Sequence, residues 1–320
     1  MNYYDVFNGD ADGICALHQM RLAYPLQSTL VTGVKRDISL LKKVQAKAED
    51  KILVLDISLD KNRDDLQRLL DVGAFIDYFD HHFAGDIPKN NKLQTHINTD
   101  PNVCTSLLVN EHLNHRYLPW AVTAAFGDNL HQSAINAARP LALSGQQLLQ
   151  LELLGTCINY NGYGSSLSDL IFTPEDLYRC ISQYEDPFEF INTDENYLKL
   201  QSGYKEDISQ VERCKPALET KTHSISILPN EKWARRVSGV YANQLATENP
   251  ERAHAMLTEQ DDQHFLVSVR APLNNKTGAD ELCRQFETGG GRKAAAGINK
   301  LPASSYDLFV EKFTQAFFVN

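Results

Sequence analysis

The sequence predicts an α/β fold with two parts, a parallel sheet with helices on both faces and a second, smaller α/β region. Three observations support this class. Short apolar segments at residues 3–7, 29–33, 51–56 and 74–79 are typical of buried strands. Segments with helical spacing separate them, and this alternation is typical of a parallel sheet. After a mostly helical region, a second alternation of strands and helices begins near residue 223.

The remaining elements follow from apolar periodicity and from turn residues. Between the first strands we predict helices at 14–23, 38–48 and 61–70. The helical region contains segments at 103–114, 121–126 and 144–154, a helix starting at Pro174, and a long helix or linker near 195–217. The second alternation contains strands at 223–228 and 265–269 and helices at 238–247, 280–286 and 306–318.

Composition and charge exclude several classes of protein. Hydrophobic residues make up 42% of the 320 residues and charged residues 22%, which is ordinary for a globular chain and excludes disorder or a collagen-like repeat. The net charge of −10 argues against a duplex-coating protein, so any nucleic-acid contact is expected to be local. We expect no membrane span, no secretory signal and a cytoplasmic location. The scattered cysteines are expected to be reduced thiols, namely Cys15, Cys104, Cys157, Cys180, Cys214 and Cys283.

The acids Asp10, Asp56 and Asp80 each follow one of the predicted strands. Asp10 and Asp12 lie in the turn NGDADG after the first strand, where both carboxylates can reach a cation or one each of two cations. Asp is also favoured in turns and at helix N-termini, so a solvated turn or a helix cap is an alternative. Asp56 ends the segment KILVLD, and a helix cap is again the alternative. In an open parallel sheet, ligands bind at this carboxyl edge.

The strongest local signal is Asp80-His81-His82, directly after an apolar strand. Imidazole and carboxylate together suit a divalent transition metal such as Mn²⁺. Asp128, in FGDN after an apolar helix, is neutral evidence by itself. Taken together, these acids and the histidine suffice for two cations about 3.5–4 Å apart that share a carboxylate and clamp a phosphate. An acidic patch that keeps the protein in solution is the alternative.

A glycine run and two arginines point to anion binding in the second region. Gly289, Gly290 and Gly291 precede Arg292, and consecutive glycines allow backbone N–H groups to converge on an anion. Arginine binds phosphate with two donors. A flexible loop is the alternative for the glycines. Arg270 follows a strand, and a surface arginine is the alternative there.

The motifs NGDADG, VLDIS, FDHH, FGDN and GGGRKAAAG, in this order, resemble the DHH phosphoesterase superfamily with its DHH-associated C-terminal domain. The resemblance covers nearly the whole chain. It implies a DHH catalytic domain over residues 1–190, a helical linker over 191–220 and a substrate-binding domain over 221–320, with a cleft between two lobes. It also implies two divalent cations, Mn²⁺ or alternatively Mg²⁺, and hydrolysis of phosphodiesters or phosphoanhydrides.

The resemblance also implies roles for matching residues. Asp10 would bind the first metal and Asp12 the second, with Asp56 bridging the two ions. His81 and Asp128 would complete the second site. Asp80 would orient His81, and His82 would face the scissile phosphate. The substrate-binding residues would be Arg270, Gly289, Gly290, Gly291 and Arg292.

Two departures from the family pattern stand out. Val6 occupies a position where many members have a histidine ligand, so the first metal would have fewer ligands, although Asn8 could contribute. Arg292 occupies the place of the usual histidine after the third glycine. Because arginine stays charged, it cannot donate a proton in catalysis.

The expected activity is hydrolysis of short single-stranded oligonucleotides or linear dinucleotides to mononucleotides. A long nucleic acid needs an extended basic groove or a stacking platform. The segment 159–168, with Tyr160 and Tyr163, is predicted to be a polar loop that either stacks a base or packs on the helical region. An exopolyphosphatase or pyrophosphatase is the alternative enzyme. A nucleotide-binding protein without catalysis is a further alternative, based on Val6 and Arg292.

Overall fold

The structure is a computed structural model that describes residues 1–318. The chain separates into two compact units, Met1–Ser202 and the residues from Gly203 onward. The first contains a five-stranded sheet and the second a six-stranded sheet, so the predicted α/β class is confirmed. The domain boundaries at 190 and 220 stay a prediction.

The sheet of the first unit is parallel throughout, with the strand order β2-β1-β3-β4-β5. Its strands are β1 (Tyr3–Phe7), β2 (Thr29–Val31), β3 (Lys51–Leu55), β4 (Phe75–Asp80) and β5 (Leu93–Ile97). Because β1 lies between β2 and β3, the chain order reverses beside it. Ligands of open α/β sheets bind at the carboxyl ends of the strands near such a reversal.

Nine helices follow or separate these strands among the described residues. They are α1 (Ala11–Ala23), α2 (Arg63–Asp71), α3 (Thr105–His112), α4 (Leu118–Gly127), α5 (His131–Ala138), α6 (Gly145–Gly162), α7 (Pro174–Ile181), α8 (Pro187–Thr193) and α9 (Glu195–Val211). Capping explains several starts. Ser144 and Gln147 form a reciprocal capping box at α6, and Thr173 caps α7 directly before Pro174.

The apolar core beside this sheet explains how α2 is held. Leu66 and Leu69 of α2 belong to one buried cluster with Val6, Val54 and Tyr78 of the sheet. Burying each such side chain contributes about 1.5–3 kcal/mol relative to leaving it exposed. Val6 is therefore a core residue, and its side chain offers no ligand atom.

The second unit has a mixed sheet in the order β10-β11-β9-β8-β7-β6. Its strands are β6 (Leu218–Glu219), β7 (His223–Leu228), β8 (Ala253–Glu259), β9 (His264–Arg270), β10 (Gly289–Gly291) and β11 (Ala295–Pro302). Only β7 and β8 pair in parallel among the described strands of this sheet. The helices are α10 (Lys232–Glu248), α11 (Ala279–Cys283) and α12 (Tyr306–Phe317). Phe309 and Phe313 of α12 join the apolar core of the sheet.

The predicted helix at 38–48 is wrong. This segment contains one short 3₁₀ turn at Leu41–Lys43, and Leu40, Leu41 and Val44 are buried without a helix. Asn62 explains the difference, because its side chain accepts from Leu41 N at 3.2 Å and donates to Ile38 O at 2.7 Å. A side chain therefore satisfies backbone groups that a helix would otherwise pair.

The predicted loop at 159–168 is also wrong over its first part, because residues 159–162 form the last turn of α6. The strands β5, β6, β8, β10 and β11 had no sequence prediction. Within residues 1–318, no helix combines the length and the apolar character needed to cross a membrane.

Candidate metal centre

Three neighbouring strands bring the predicted acids and histidines to one edge of the first sheet. Asp10 follows β1, Asp56 follows β3, and Asp80 ends β4 directly before His81. Because β1, β3 and β4 are adjacent, their carboxyl ends lie side by side. Asp10 also caps α1, since its Oδ1 accepts from the backbone N of Asp12 at 3.0 Å.

His81 is held with one ring nitrogen facing a group of carboxylates. Its Nδ1 lies 2.7 Å from Val103 O, and because a carbonyl only accepts, Nδ1 is the donor. Its Nε2 lies 3.4 Å from Asp56 Oδ1 and 3.9 Å from both Asp12 Oδ2 and Asp128 Oδ2. In the neutral ring Nε2 is a hydrogen-bond acceptor, and so are the carboxylate oxygens that surround it. A proton or a cation must therefore lie between Nε2 and these oxygens.

The surrounding carboxylates affect the pKa of His81. Burial alone would lower the pKa of His81. The hydrogen bond to Asp56 and the charges of Asp128, Asp56 and Asp12 outweigh burial and raise the pKa to about 10. The position facing Nε2 therefore attracts positive charge.

Asp12 joins the cluster to the start of α3. Its Oδ2 accepts from Thr105 N and its Oδ1 from Ser106 N, both at 2.7 Å. Thr105 also donates its hydroxyl to Asp56 Oδ1 at 3.2 Å. Burial raises the pKa of Asp12, against the opposing charge of His81. These bonds fix the carboxylates in position before any ligand binds.

Asp56 combines two unfavourable features that are typical of functional sites. Its backbone is left-handed, with φ of 59°, which aspartate tolerates better than most residues. Burial, followed by the charges of Asp12 and Asp10, raises the pKa of Asp56 well above its usual range. A cation close to Asp56 would relieve the electrostatic part of this cost.

Asp80 has a different partner from the predicted one. Its Oδ1 accepts from Nδ1 of His82 at 2.7 Å, whereas the Val103 carbonyl orients His81. The expectation that Asp80 orients His81 is therefore corrected. The side chain of His82 is 33% exposed, and with Nδ1 engaged its Nε2 is the nitrogen available to a ligand.

The ligand chemistry fits a divalent cation on the side of His81. Asp12, His81 and Asp128 each offer an atom within 4.8 Å of the others, and Asp56 lies beside them. Three carboxylates and one imidazole suit Mn²⁺ or Mg²⁺. Asp10 differs, because its Oδ2 accepts from the ammonium of Lys35 at 2.5 Å.

The sequence had not assigned Lys35, Val103, Thr105 or Ser106 to this centre. Lys35 lies just after a predicted strand, and a single lysine there carries no specific metal-site signal. The other three act through backbone groups or a hydroxyl, and their residue types carry no metal-binding signal. Their roles become visible only from the packing of α3 against the carboxyl edge.

Solved structures with similar architecture were found, whereas no family model and no curated protein matches this chain. An exonuclease RecJ bound to manganese aligns with a TM-score of 0.62 at 14% identity, over 98% of this chain and 90% of that one. The pGpG-specific phosphodiesterase PggH from Vibrio cholerae aligns with a TM-score of 0.57 at 14% identity, over 99% of both chains. RecJ in complex with Mn²⁺ from Thermus thermophilus aligns with a TM-score of 0.62 at 17% identity, over 98% of this chain and 52% of that one.

RecJ and PggH both belong to the DHH superfamily. The chain has the same fold as these two proteins. This confirms the fold that the five motifs imply. At these identities the likeness concerns the architecture alone, and the chemistry of the site depends on the residues of this chain.

The glycine run of this chain is a strand, not the flexible loop that was the alternative. Gly289, Gly290 and Gly291 form β10, which pairs with β11. A Cβ on Gly289 would lie 1.7 Å from Cys283 O, and Gly291 has φ of 142°, so both positions require glycine for the fold. Gly290 has open space where a Cβ would be. Because β10 is an edge strand, one row of its backbone groups faces no neighbouring strand.

The two arginines that were predicted to bind substrate differ in setting. Arg292 is exposed, and its backbone N donates to Ala295 O at 2.9 Å. Arg270 is half-buried at the end of β9, where its Nε donates to Asn243 Oδ1 at 2.6 Å. Arg270 is therefore partly covered and hydrogen-bonded, in contrast to a fully exposed surface arginine. Whether these residues bind substrate stays a prediction.

The tyrosines 160 and 163 pack into the first unit. Tyr160 is fully buried and Tyr163 is 8% exposed, so neither presents a ring face on which a base can stack. Packing, the alternative to base stacking, is correct. The ring of Tyr163 instead lies 5.4 Å from Lys35 Nζ, within range of a cation–π contact.

Proposed function

We propose that this chain is a metal-dependent phosphodiesterase that hydrolyses short single-stranded oligonucleotides or linear dinucleotides to mononucleotides. The observation that carries the proposal is the geometry of His81. Its Nδ1 is engaged by a backbone carbonyl, and its Nε2 faces the carboxylates of Asp12, Asp56 and Asp128. Burying His81 among these carboxylates contributes little to the stability of the fold. The same orientation, with one ring nitrogen fixed by a carbonyl, is well suited to hold a cation at the other nitrogen.

Asp12, Asp56, His81 and Asp128 would hold a divalent cation, for which we propose Mn²⁺, with Mg²⁺ as the alternative. A cation held there would act as a Lewis acid, which would activate water for attack and offset negative charge on the phosphate oxygens. The RecJ neighbours were solved with manganese, which supports this choice. A second cation, bound by Asp10 as the resemblance implies, stays a prediction.

His82, positioned by Asp80, would supply the proton for the leaving group. Hydrolysis adds water across the P–O bond, so the departing nucleoside oxygen must gain a proton. His82 exposes Nε2, and the carboxylate of Asp80 on Nδ1 stabilises the protonated ring. We propose that His82 donates this proton and that Asp80 positions His82.

Substrate binding is proposed for residues of the second unit. The exposed guanidinium of Arg292 and the edge strand that contains Gly290 would bind a terminal phosphate, with Arg270 beside them. The open space at Gly290 supports close approach of an anion to the backbone. The roles of Gly289 and Gly291 are then to shape the strand.

The net charge and the structural neighbours favour small substrates. A chain with a net charge of −10 binds long polyanions poorly unless it has an extended basic groove. PggH, which is described as specific for the dinucleotide pGpG, aligns over 99% of both chains. We propose that the substrate carries one or two phosphates and that the protein acts in the cytoplasm.

Mn²⁺-dependent hydrolysis of a substrate panel tests this function. The panel contains a 5′-phosphorylated dinucleotide, longer single-stranded DNA and RNA, a cyclic dinucleotide and polyphosphate. The expected result is mononucleotide release, fastest from the dinucleotide, that is lost in His81→Ala and kept in His131→Ala. His131 is a partly exposed control, which pairs with Glu152 at 3.1 Å. Phosphate release from polyphosphate alone would move the assignment to a polyphosphatase, and binding without turnover would exclude an enzyme.

A further inference from the structure

Lys35 places an ammonium group inside the acidic cluster. Its Nζ donates to Asp10 Oδ2 at 2.5 Å and to Asn159 Oδ1 at 2.8 Å, and lies 3.9 Å from Asp128 Oδ1. The Lys35 side chain is only 22% exposed. A lysine ammonium carries three donors and one fixed positive charge, so it can do part of what a bound cation does.

Contacts to both its backbone and its side chain hold Lys35 in position. The backbone N of Lys35 donates to Gly162 O at 2.8 Å, at the end of α6. The side-chain amide of Asn8 donates to Lys35 O at 3.3 Å. The ring of Tyr163 lies beneath the ammonium at 5.4 Å. These contacts hold the ammonium in the cluster, in contrast to a mobile surface lysine.

Both carboxylate oxygens of Asp10 already have partners. Oδ1 accepts from the backbone N of Asp12 and of Gly13, at 3.0 and 3.1 Å, and Oδ2 accepts from Lys35. A divalent cation at Asp10 would have to displace the ammonium or lie next to it. Two cationic centres in contact repel each other strongly at a buried site.

Asp128 lies between two positive positions. Its Oδ1 lies 3.9 Å from Lys35 Nζ, and its Oδ2 lies 3.9 Å from His81 Nε2, where the proposed cation would be held. The cluster therefore has two positive positions around shared carboxylates. The Lys35 ammonium occupies one position, and the proposed cation would occupy the other.

We propose that the Lys35 ammonium takes the place of a second metal ion, so that this chain binds one divalent cation, at Asp12, Asp56, His81 and Asp128. The inference rests on the proposed metal centre but not on any particular substrate. Lys35 neutralises Asp10 and presents a positive charge to the phosphate. Because this charge is part of the chain, it cannot dissociate as a metal ion can. The metal dependence of this chain is then that of a single-ion site.

Counting Mn²⁺ ions tests the inference without any substrate. Titration calorimetry and Mn²⁺ electron paramagnetic resonance are applied to the full chain with Mn²⁺ as the only ligand. The wild type is expected to bind one ion and to show the spectrum of isolated Mn²⁺. Lys35→Met frees Asp10 Oδ2 and Asn159 Oδ1, and is expected to bind a second ion with a spin-coupled spectrum. Lys43→Met is the matched control, because Lys43 pairs with Asp37 at 2.6 Å on the surface.

Asp10→Asn keeps the test decisive if Lys35→Met does not fold. Because Asp10 is not a ligand in this proposal, Asp10→Asn is expected to bind one ion with a dissociation constant within about threefold of the wild type. Two ions in the wild type, falling to one in Asp10→Asn, would overturn the inference. One ion in both the wild type and Lys35→Met would also overturn it.

The outcome is separable from that of the proposed function. A wild-type chain that binds one Mn²⁺ but hydrolyses nothing would retain the role of Lys35 and refute the enzyme. A chain that binds two Mn²⁺ and hydrolyses dinucleotides would retain the enzyme and refute the role of Lys35.

Discussion

Asp80 accepts a hydrogen bond from Nδ1 of His82 at 2.7 Å, passing over His81, which follows Asp80 directly in the chain. Asp80 is fully buried, whereas the side chain of His82 is one-third exposed. The pair thus joins an inaccessible carboxylate to an accessible imidazole. The two histidines of one motif have separate partners, and we assign them separate tasks.

Asp80→Asn is expected to lower kcat by about 10²–10⁴-fold, because the neutral amide no longer stabilises protonated His82. KM is expected to change by less than about threefold, since Asp80 does not touch substrate. Steady-state kinetics on the dinucleotide measure both constants. His82→Gln should show a similar loss, and the double variant should lose no more than either single variant. Additive losses would show that the two residues act independently.

Asp56→Asn is expected to stabilise the metal-free protein while weakening Mn²⁺ binding. Burial and the neighbouring acids raise the pKa of Asp56, so the carboxylate costs folding energy that an amide does not. Asn also tolerates the left-handed backbone and accepts from the Thr105 hydroxyl. We expect the free energy of unfolding to rise by about 1 kcal/mol or more.

Urea denaturation with and without Mn²⁺ measures this effect. Mn²⁺ should stabilise the wild type and leave Asp56→Asn nearly unchanged. Asp64→Asn, an exposed change in α2, serves as the control. A fall in stability of metal-free Asp56→Asn would contradict the assignment of Asp56 as a destabilising group.

The sequence was sufficient where a single strand and the residue after it carry the signal. Asp10, Asp56 and Asp80 each follow an apolar segment, and this local pattern predicted both the strands and their shared edge. The strand at the glycine run was not predicted, because the pairing of β10 with β11 depends on residues outside the run. The strands β8 and β11 contain many small or polar residues, so their apolar signal is weak.

Partners far apart in sequence could not be predicted. Lys35 reaches Asp10 across 25 residues, through a segment that was expected to lead into a helix. His81 was identified as a ligand, but its orientation depends on Val103, 22 residues later. Sequence separations of 25 and 22 residues do not by themselves predict a contact. The packing of α3 and α6 brings these residues together.

A buried neutral histidine in the first unit is expected to make stability depend on pH. His18 donates from Nε2 to Tyr184 O at 2.8 Å, and burial lowers its pKa from 6.5 to about 4. Between these values the unfolded chain binds more protons, so stability falls as the pH drops from 6.5 to 4. The full effect of this one group is roughly 3 kcal/mol.

Chemical denaturation at a series of pH values measures this dependence. His18→Gln keeps a donor near Tyr184 O but does not titrate, so its curve should be flatter over that range. His254, whose pKa burial also lowers to about 4, lies in the second unit and should contribute independently. Parallel curves for the wild type and His18→Gln would show that His18 does not titrate differently on unfolding.

The three glycines of β10 are expected to respond differently to alanine. In Gly289→Ala the new Cβ meets Cys283 O, and in Gly291→Ala it meets Ala296 in a left-handed backbone, so each should lose about 1–3 kcal/mol of stability. Gly290→Ala should stay within about 0.5 kcal/mol of the wild type, because its Cβ meets nothing. Thermal unfolding measures all three.

Gly290→Ala then isolates the proposed contact with phosphate, because the fold does not need glycine there. A methyl group on the edge strand would keep an anion away from the backbone, so KM for the dinucleotide should rise about tenfold, equivalent to about 1.4 kcal/mol. Arg292→Gln should raise KM at least as much, since it removes the charged partner of the phosphate. Lys300→Gln, which changes an exposed cation paired with Asp262, is the control. An unchanged KM in both Gly290→Ala and Arg292→Gln would place substrate binding outside the glycine motif.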